Sequence, residues 1–108
     1  MNAALDYTKQ KKKFLTVTLI DETVVFLGVP KKALFDKLMS VERKVKESAD
    51  FEELYGEMTE LSAAILSNNK TGKEFTADKV NEIMDIEDMA LLVSEYSKFA
   101  GTAVNSPN

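Results

Sequence analysis

The chain contains no cysteine, no histidine and no tryptophan among its 108 residues. Without Cys and His it lacks the usual ligands for zinc, haem and iron-sulfur centres, and the imidazole or thiolate on which most acid-base and nucleophilic catalysis relies. Asp, Glu, Lys, Ser, Thr and Tyr are what remains for chemistry, and they form no carboxylate pair, Ser-Lys dyad or nucleophile elbow at motif spacing. An enzyme is disfavoured, and no cofactor is expected. The absence of cysteine also removes any disulfide framework, so nothing points to a secreted mini-protein. No stretch approaches the roughly 18 apolar residues of a membrane-spanning helix; the longest apolar runs, Val24 to Leu27 and Met89 to Val93, suit core elements. The opening "MNAALDYTKQKKK" lacks the apolar h-region of a signal peptide, which makes the cytosol the expected compartment.

What is present is ordinary globular material, 44% hydrophobic and 30% charged, in a length that supports one core. The expected organisation is a flexible basic arm over residues 1–12, one globular unit over 13–100 and a flexible tail over 101–108. The net charge of −4 divides unevenly. Residues 1–46 hold ten Lys or Arg against five acids, a net +5, while residues 47–108 hold four Lys against thirteen acids, a net −9. An acidic total disfavours strong nucleic-acid binding, which needs many phosphate neutralisations. Opposite-signed halves can instead attract head to tail between copies, a heterologous contact that leads to rings or filaments.

Hydrophobic patterning predicts an α+β, mainly α fold, with an N-terminal β-hairpin followed by about four helices. From Phe14 to Val29 the residues alternate with period two, interrupted by "DET". A two-residue turn at Asp21 and Glu22 would set Leu19 opposite Val24 and Val17 opposite Phe26. That register puts Leu15, Val17, Leu19, Val24 and Phe26 on one face. Asp-Glu lacks the glycine such a turn favours, and a lone hairpin is marginal in water, so both faces call for cover. Pro30 is expected in the first turn of a helix running from Lys31 to Ser48. Its stripe is Leu34, Leu38, Val41 and Val45, widened by Phe35 and Met39. Asp50, with Glu53 at capping-box spacing, starts a second helix with a stripe of Phe51, Leu54, Tyr55, Met58, Leu61 and Ile65. "SNNKTGKE" is the clearest loop. Thr76 caps a short third helix, and Asp85, with Asp88 three residues on, caps a fourth from Ile86 to Ala100 that Gly101 closes.

Four constellations bear on function. "NKTGK" lacks the leading glycine, the Ser or Thr and the preceding strand of a phosphate loop. Glu82, Asp85, Glu87 and Asp88 cluster acids without the calcium-loop pattern, and capping a helix start explains the placement. Lys9, Lys11, Lys12 and Lys13 form a basic arm that suits nucleic acid or an acidic partner. The same lysines equally guard an edge strand against promiscuous pairing. Phe35, Met39, Leu91, Leu92, Tyr96 and Phe99 are candidates for partner or self contact, because the apolar arc of the last helix exceeds the ~100° a single core needs. Core packing accounts for the same residues, and the arc alone does not separate the two readings.

The order of these elements resembles a known family. The hairpin and helix "KFLTVTLIDETVVFLGVPKKALFDKL", the connection "SNNKTGKEFTADKV" and the helix "MDIEDMALLVSEYSKF" are together similar to small tail assembly chaperones of siphophages and prophages of Gram-positive bacteria. The likeness covers about residues 13–100, and the matching positions are Pro30, the acidic cap from Asp85 to Asp88, and Tyr96 with Phe99. It implies a non-enzymatic protein that binds the tape measure protein and self-associates as a homo-oligomer in the host cytoplasm, and that is absent from the mature virion. A longer frameshifted product often shares its N-terminal domain in that family. The alternatives from the residues themselves are a small nucleic-acid-binding regulator using the lysine arm, or a generic prophage structural or adaptor protein.

Overall fold

Alternating β-branched and aromatic residues build two antiparallel strands, β1 (Leu15–Thr18) and β2 (Val24–Leu27). A computed structural model of the chain describes residues 3–9, 12–47 and 50–105. In it the hairpin is followed by α1 (Lys32–Lys46), α2 (Phe51–Ser67), α3 (Ala77–Ile83) and α4 (Ile86–Asn105), and a single 3-10 turn, Tyr7–Lys9, precedes it. The fold is α+β and mainly α, as the patterning predicts.

The hairpin register differs by one residue from a two-residue turn. Leu15 lies opposite Leu27, Val17 opposite Val25 and Thr18 opposite Val24. The cause is the loop, which holds three residues rather than two: Glu22 N–H donates to Leu19 C=O at 2.8 Å, and Leu19 N–H donates to Thr23 C=O at 2.8 Å. This is the type I turn closed by a left-handed residue, and Glu22 takes that position at φ +70°. Asp21 supports it by accepting from Thr23 N–H at 3.1 Å. Contacts with the Thr23 side chain and then its N–H hold the Asp21 carboxyl below the usual carboxylate range. Because side chains alternate with period two, the one-residue shift inverts β2. Val25 and Leu27 enter the core, while Val24 and Phe26 face outward and are exposed.

The helices surround α2, which packs against α1, α3, α4 and β2. A helix with neighbours on several sides needs more than one stripe. Accordingly Leu66, Ala63, Ser62 and Thr59 are buried beside Met58, Leu61 and Ile65, whereas Phe51, at the helix start, is exposed. On α1, Leu38 and Val41 are buried, and Val45 projects into solvent. Charge joins these two helices: Lys44 on α1 pairs with Glu57 on α2 and lies 3.9 Å from Glu53. Ser97 on α4 donates to Glu42 on α1 at 2.6 Å.

The helix ends follow from short-range hydrogen bonds. Asp50 caps α2 by accepting from Glu52 N–H, and Thr76 caps α3 by accepting from Lys79 N–H. Asp85 and Asp88 form a reciprocal cap, each carboxylate accepting from the other's N–H at 2.9 and 3.0 Å. Two ends depart from expectation. Pro30 sits outside α1, whose first helical residue is Lys32 after Lys31 as N-cap. Gly101 does not stop α4, which continues to Asn105: only Gly72 among the described glycines has a positive φ, so the left-handed exit that ends a helix is not taken there. Of the expected tail, residues 101–105 are therefore helical and 106–108 lie outside the described residues.

Glu22 carries a side chain in a backbone region that costs an L-residue about 1 kcal/mol or more. Glu22→Gly is expected to raise unfolding stability by up to about 1 kcal/mol, measured by urea denaturation, because glycine adopts this φ without that penalty. An unchanged or lower midpoint would show that the turn residue is not strained.

Candidate functional site

One buried polar hub ties the hairpin to the helices. Tyr96, on α4, is fully buried, and its hydroxyl donates to Gly28 C=O at 2.6 Å. Asn68, the C-cap of α2, donates from Nδ2 to the same carbonyl at 3.0 Å and to the Tyr96 oxygen at 3.1 Å. The backbone continues the join, with Gly28 N–H donating to Asn68 C=O and Lys70 N–H to Phe26 C=O, both at 2.9 Å. Residues 68–70 thus line the outer edge of β2, with Leu27 and Asn69 forming a bridge. Asn69 shapes the turn behind it by donating to the Leu66 and Lys73 carbonyls and accepting from Lys73 N–H.

The edge of β1 has no such cover among the described residues. Leu19 and Thr23 are a hydrogen-bonded pair, so by antiparallel alternation Val17 with Val25 and Leu15 with Leu27 are bonded pairs too. The backbone N–H and C=O groups of Thr16 and Thr18 consequently point away from β2. Beside them runs a groove of about 630 Å³, with residues 15–20 on one wall. Ile83, Met84, Asp88, Leu91, Leu92 and Glu95, from α3 to α4, form the other. Its floor is apolar, and among the described residues the only charged ones that line it are the two acids. A shallower hollow of about 410 Å³ lies between α2 and α3 beside Tyr55, Gly56 and Asn81.

The residues singled out from sequence do not form one patch. Tyr96 and Leu92 are buried in the chain's own core, where α4 packs along α2. Met39 and Phe99 are partly buried against that core. Phe35, 43% exposed on α1, and Leu91, 63% exposed on α4, are the two that remain at the surface, and only Leu91 lines the groove. In the lysine arm, Lys12 and Lys13 are exposed just before β1, while Lys11 and the side chain of Lys9 lie outside the described residues. The acids at Asp85 and Asp88 serve as the α4 cap. Sequence reasoning missed the groove itself. Ile83, Met84 and Glu95 are ordinary helix residues by pattern, and the one available signal was that a two-stranded hairpin must have a strand edge to spare.

No protein-family model, curated protein or solved structure matches the chain. The groove and the hub therefore carry the functional reading by their own chemistry. Among the described residues no helix is long and apolar enough to cross a membrane.

Burial pushes the Tyr96 phenol above its ordinary value, opposed in part by the hydrogen bond from Asn68. A phenol with a raised native pKa contributes its full stability below the unfolded value of about 10 and loses it as pH rises beyond. Tyr96→Phe is therefore expected to lower stability by about 1 kcal/mol at neutral pH and to flatten its decline above pH ~10. Chemical denaturation at pH 7 and in the alkaline range checks both; equal alkaline loss in the two proteins would assign it to other groups.

Proposed function

We propose that the chain is a non-enzymatic assembly chaperone of long-tailed phages, which binds the tape measure protein in the host cytoplasm and self-associates while doing so. The observation that carries this reading is the groove beside the edge of β1: an apolar floor next to backbone donors and acceptors that no other described residue pairs is equipment for holding another polypeptide. The resemblance in element order to tail assembly chaperones supplies the identity of that polypeptide.

Nucleic acid binding draws less support. The acids Asp88 and Glu95 line the groove, where they would repel a phosphate backbone.

Co-expression with a tape measure protein from the same gene cluster tests the proposal. The expected outcome is a complex that co-elutes in size-exclusion chromatography and a larger soluble fraction of the client. Absence of a complex together with unchanged client solubility would sink it. Self-association is read separately by light scattering: if the opposite-signed halves drive it, the assembly mass should fall as salt rises from ~0.05 to ~0.5 M. Salt-independent oligomers would assign it to apolar contacts instead.

A further inference from the structure

The groove's two walls offer different things. One wall is strand edge, where Thr16 and Thr18 present N–H and C=O groups that pair with no other described residue. The other is helix, where Leu91 lies between Asp88 and Glu95. Those two acids are seven residues apart, two turns of α4 and roughly 10 Å along its axis. A helical ligand would satisfy the apolar floor but not the edge, since its own backbone groups are already paired internally. An extended ligand satisfies both, by adding a strand to β1 and laying alternate side chains on the floor.

We propose that this groove binds an extended peptide segment as a third strand on β1, with two basic side chains four residues apart meeting Asp88 and Glu95 and an apolar side chain between them meeting Leu91. The segment is thus basic, apolar, basic on its inward face. The two basic residues stand roughly 13 Å apart along a strand, within lysine reach of acids some 10 Å apart. This deepens the chaperone reading by stating the chemistry of the bound segment, and it rests on the protein-binding part of that reading.

Charge selects this occupant over a second copy paired edge to edge. Antiparallel pairing of two β1 strands about a two-fold axis sets both α4 helices on the same side of the joined sheet. Each copy's Asp88 and Glu95 would then face the other's, a like-charge contact that disfavours the dimer. Glu95 has a neighbour in Lys98 at 3.7 Å, but both side chains are well exposed and such a pair yields readily to a competing cation.

The test uses the full chain, isotope-labelled, and the blocked peptide STKTITKTS, whose lysines and isoleucine share one face. Saturable shifts at the Thr16 and Thr18 amides are expected, with slowed hydrogen exchange at both. The glutamate counterpart STETITETS should bind at least tenfold more weakly, and Leu91→Lys, a change at an exposed site, should weaken the lysine peptide at least tenfold. Glu95→Gln should reduce the difference between the two peptides. Equal binding of both peptides, no saturable shift, or shifts that leave Thr16 and Thr18 untouched would each overturn the proposal. So would protection of those amides in the free protein, at any dilution if the chain's own arm covers the edge, or rising with concentration if a second copy does. A tape measure complex that forms while the peptide fails to bind would remove this inference and leave the chaperone reading standing.

Discussion

The Tyr96 hydroxyl reaches across from α4 to the carbonyl of Gly28, 68 residues away in sequence, and Asn68 closes the triangle from the end of α2. The attachment of the hairpin to the helices turns on this contact. A two-stranded hairpin is marginal in water by itself, and here it has only four residues per strand. What stabilises it is attachment: Val25 and Leu27 sink into the core, while the Gly28 carbonyl, which would otherwise be an unsatisfied acceptor near that core, receives two donors. Because the hub holds the end of β2, β2 becomes the inner strand and β1 is left outside. The groove beside β1 is a consequence of which strand was anchored.

That asymmetry explains what was legible in the sequence. The caps at Asp50, Thr76 and Asp85 depend on residues within three positions of one another, and local chemistry suffices to find them. The loop at residues 68–76 is likewise announced by Asn, Gly and Lys, and Asn69 does organise it. The hairpin register was not legible, because it turned on one backbone angle at Glu22, a residue type with no preference for the left-handed region. A single extra loop residue exchanged Val24 and Phe26 for Val25 and Leu27, and all four are apolar, so composition could not choose between the faces. The same limit applied to α4. Its wide arc was real, but only the positions of α2 and the hairpin show that Leu92 and Tyr96 face inward and Leu91 does not.

The charge segregation also takes a different form in three dimensions. The basic first half and acidic second half are not two poles, because α1 lies on α2 and Lys44 joins Glu57 there. That packing neutralises part of the split within the molecule. Acids not matched in this way include those at the start and along the exposed side of α4, Glu87, Asp88 and Glu95, which are exposed. Two of these line the groove. The charge beside the edge of β1, which pairs with no other described residue, is therefore local and negative, and the lysines at residues 12 and 13 stand at the entry to the same strand.

An open edge is ordinarily a hazard, since any extended chain can pair with it. Natural proteins restrict such edges by keeping them short and flanking them with charge, and both devices are present: β1 has four residues, preceded by lysines. A protein under selection only against aggregation could also have paired or covered β1, as residues 68–70 cover β2. Among the described residues one edge is covered and the other lies beside an apolar, acid-lined groove. If that groove binds as proposed, like charge would discourage copies of the chain from pairing through β1, and a segment of opposite charge would meet no such barrier. On the peptide-binding proposal the acids would serve two ends at once, repelling a second copy and selecting a basic segment, while the hub at Tyr96 ties β2, and through it β1, to α4.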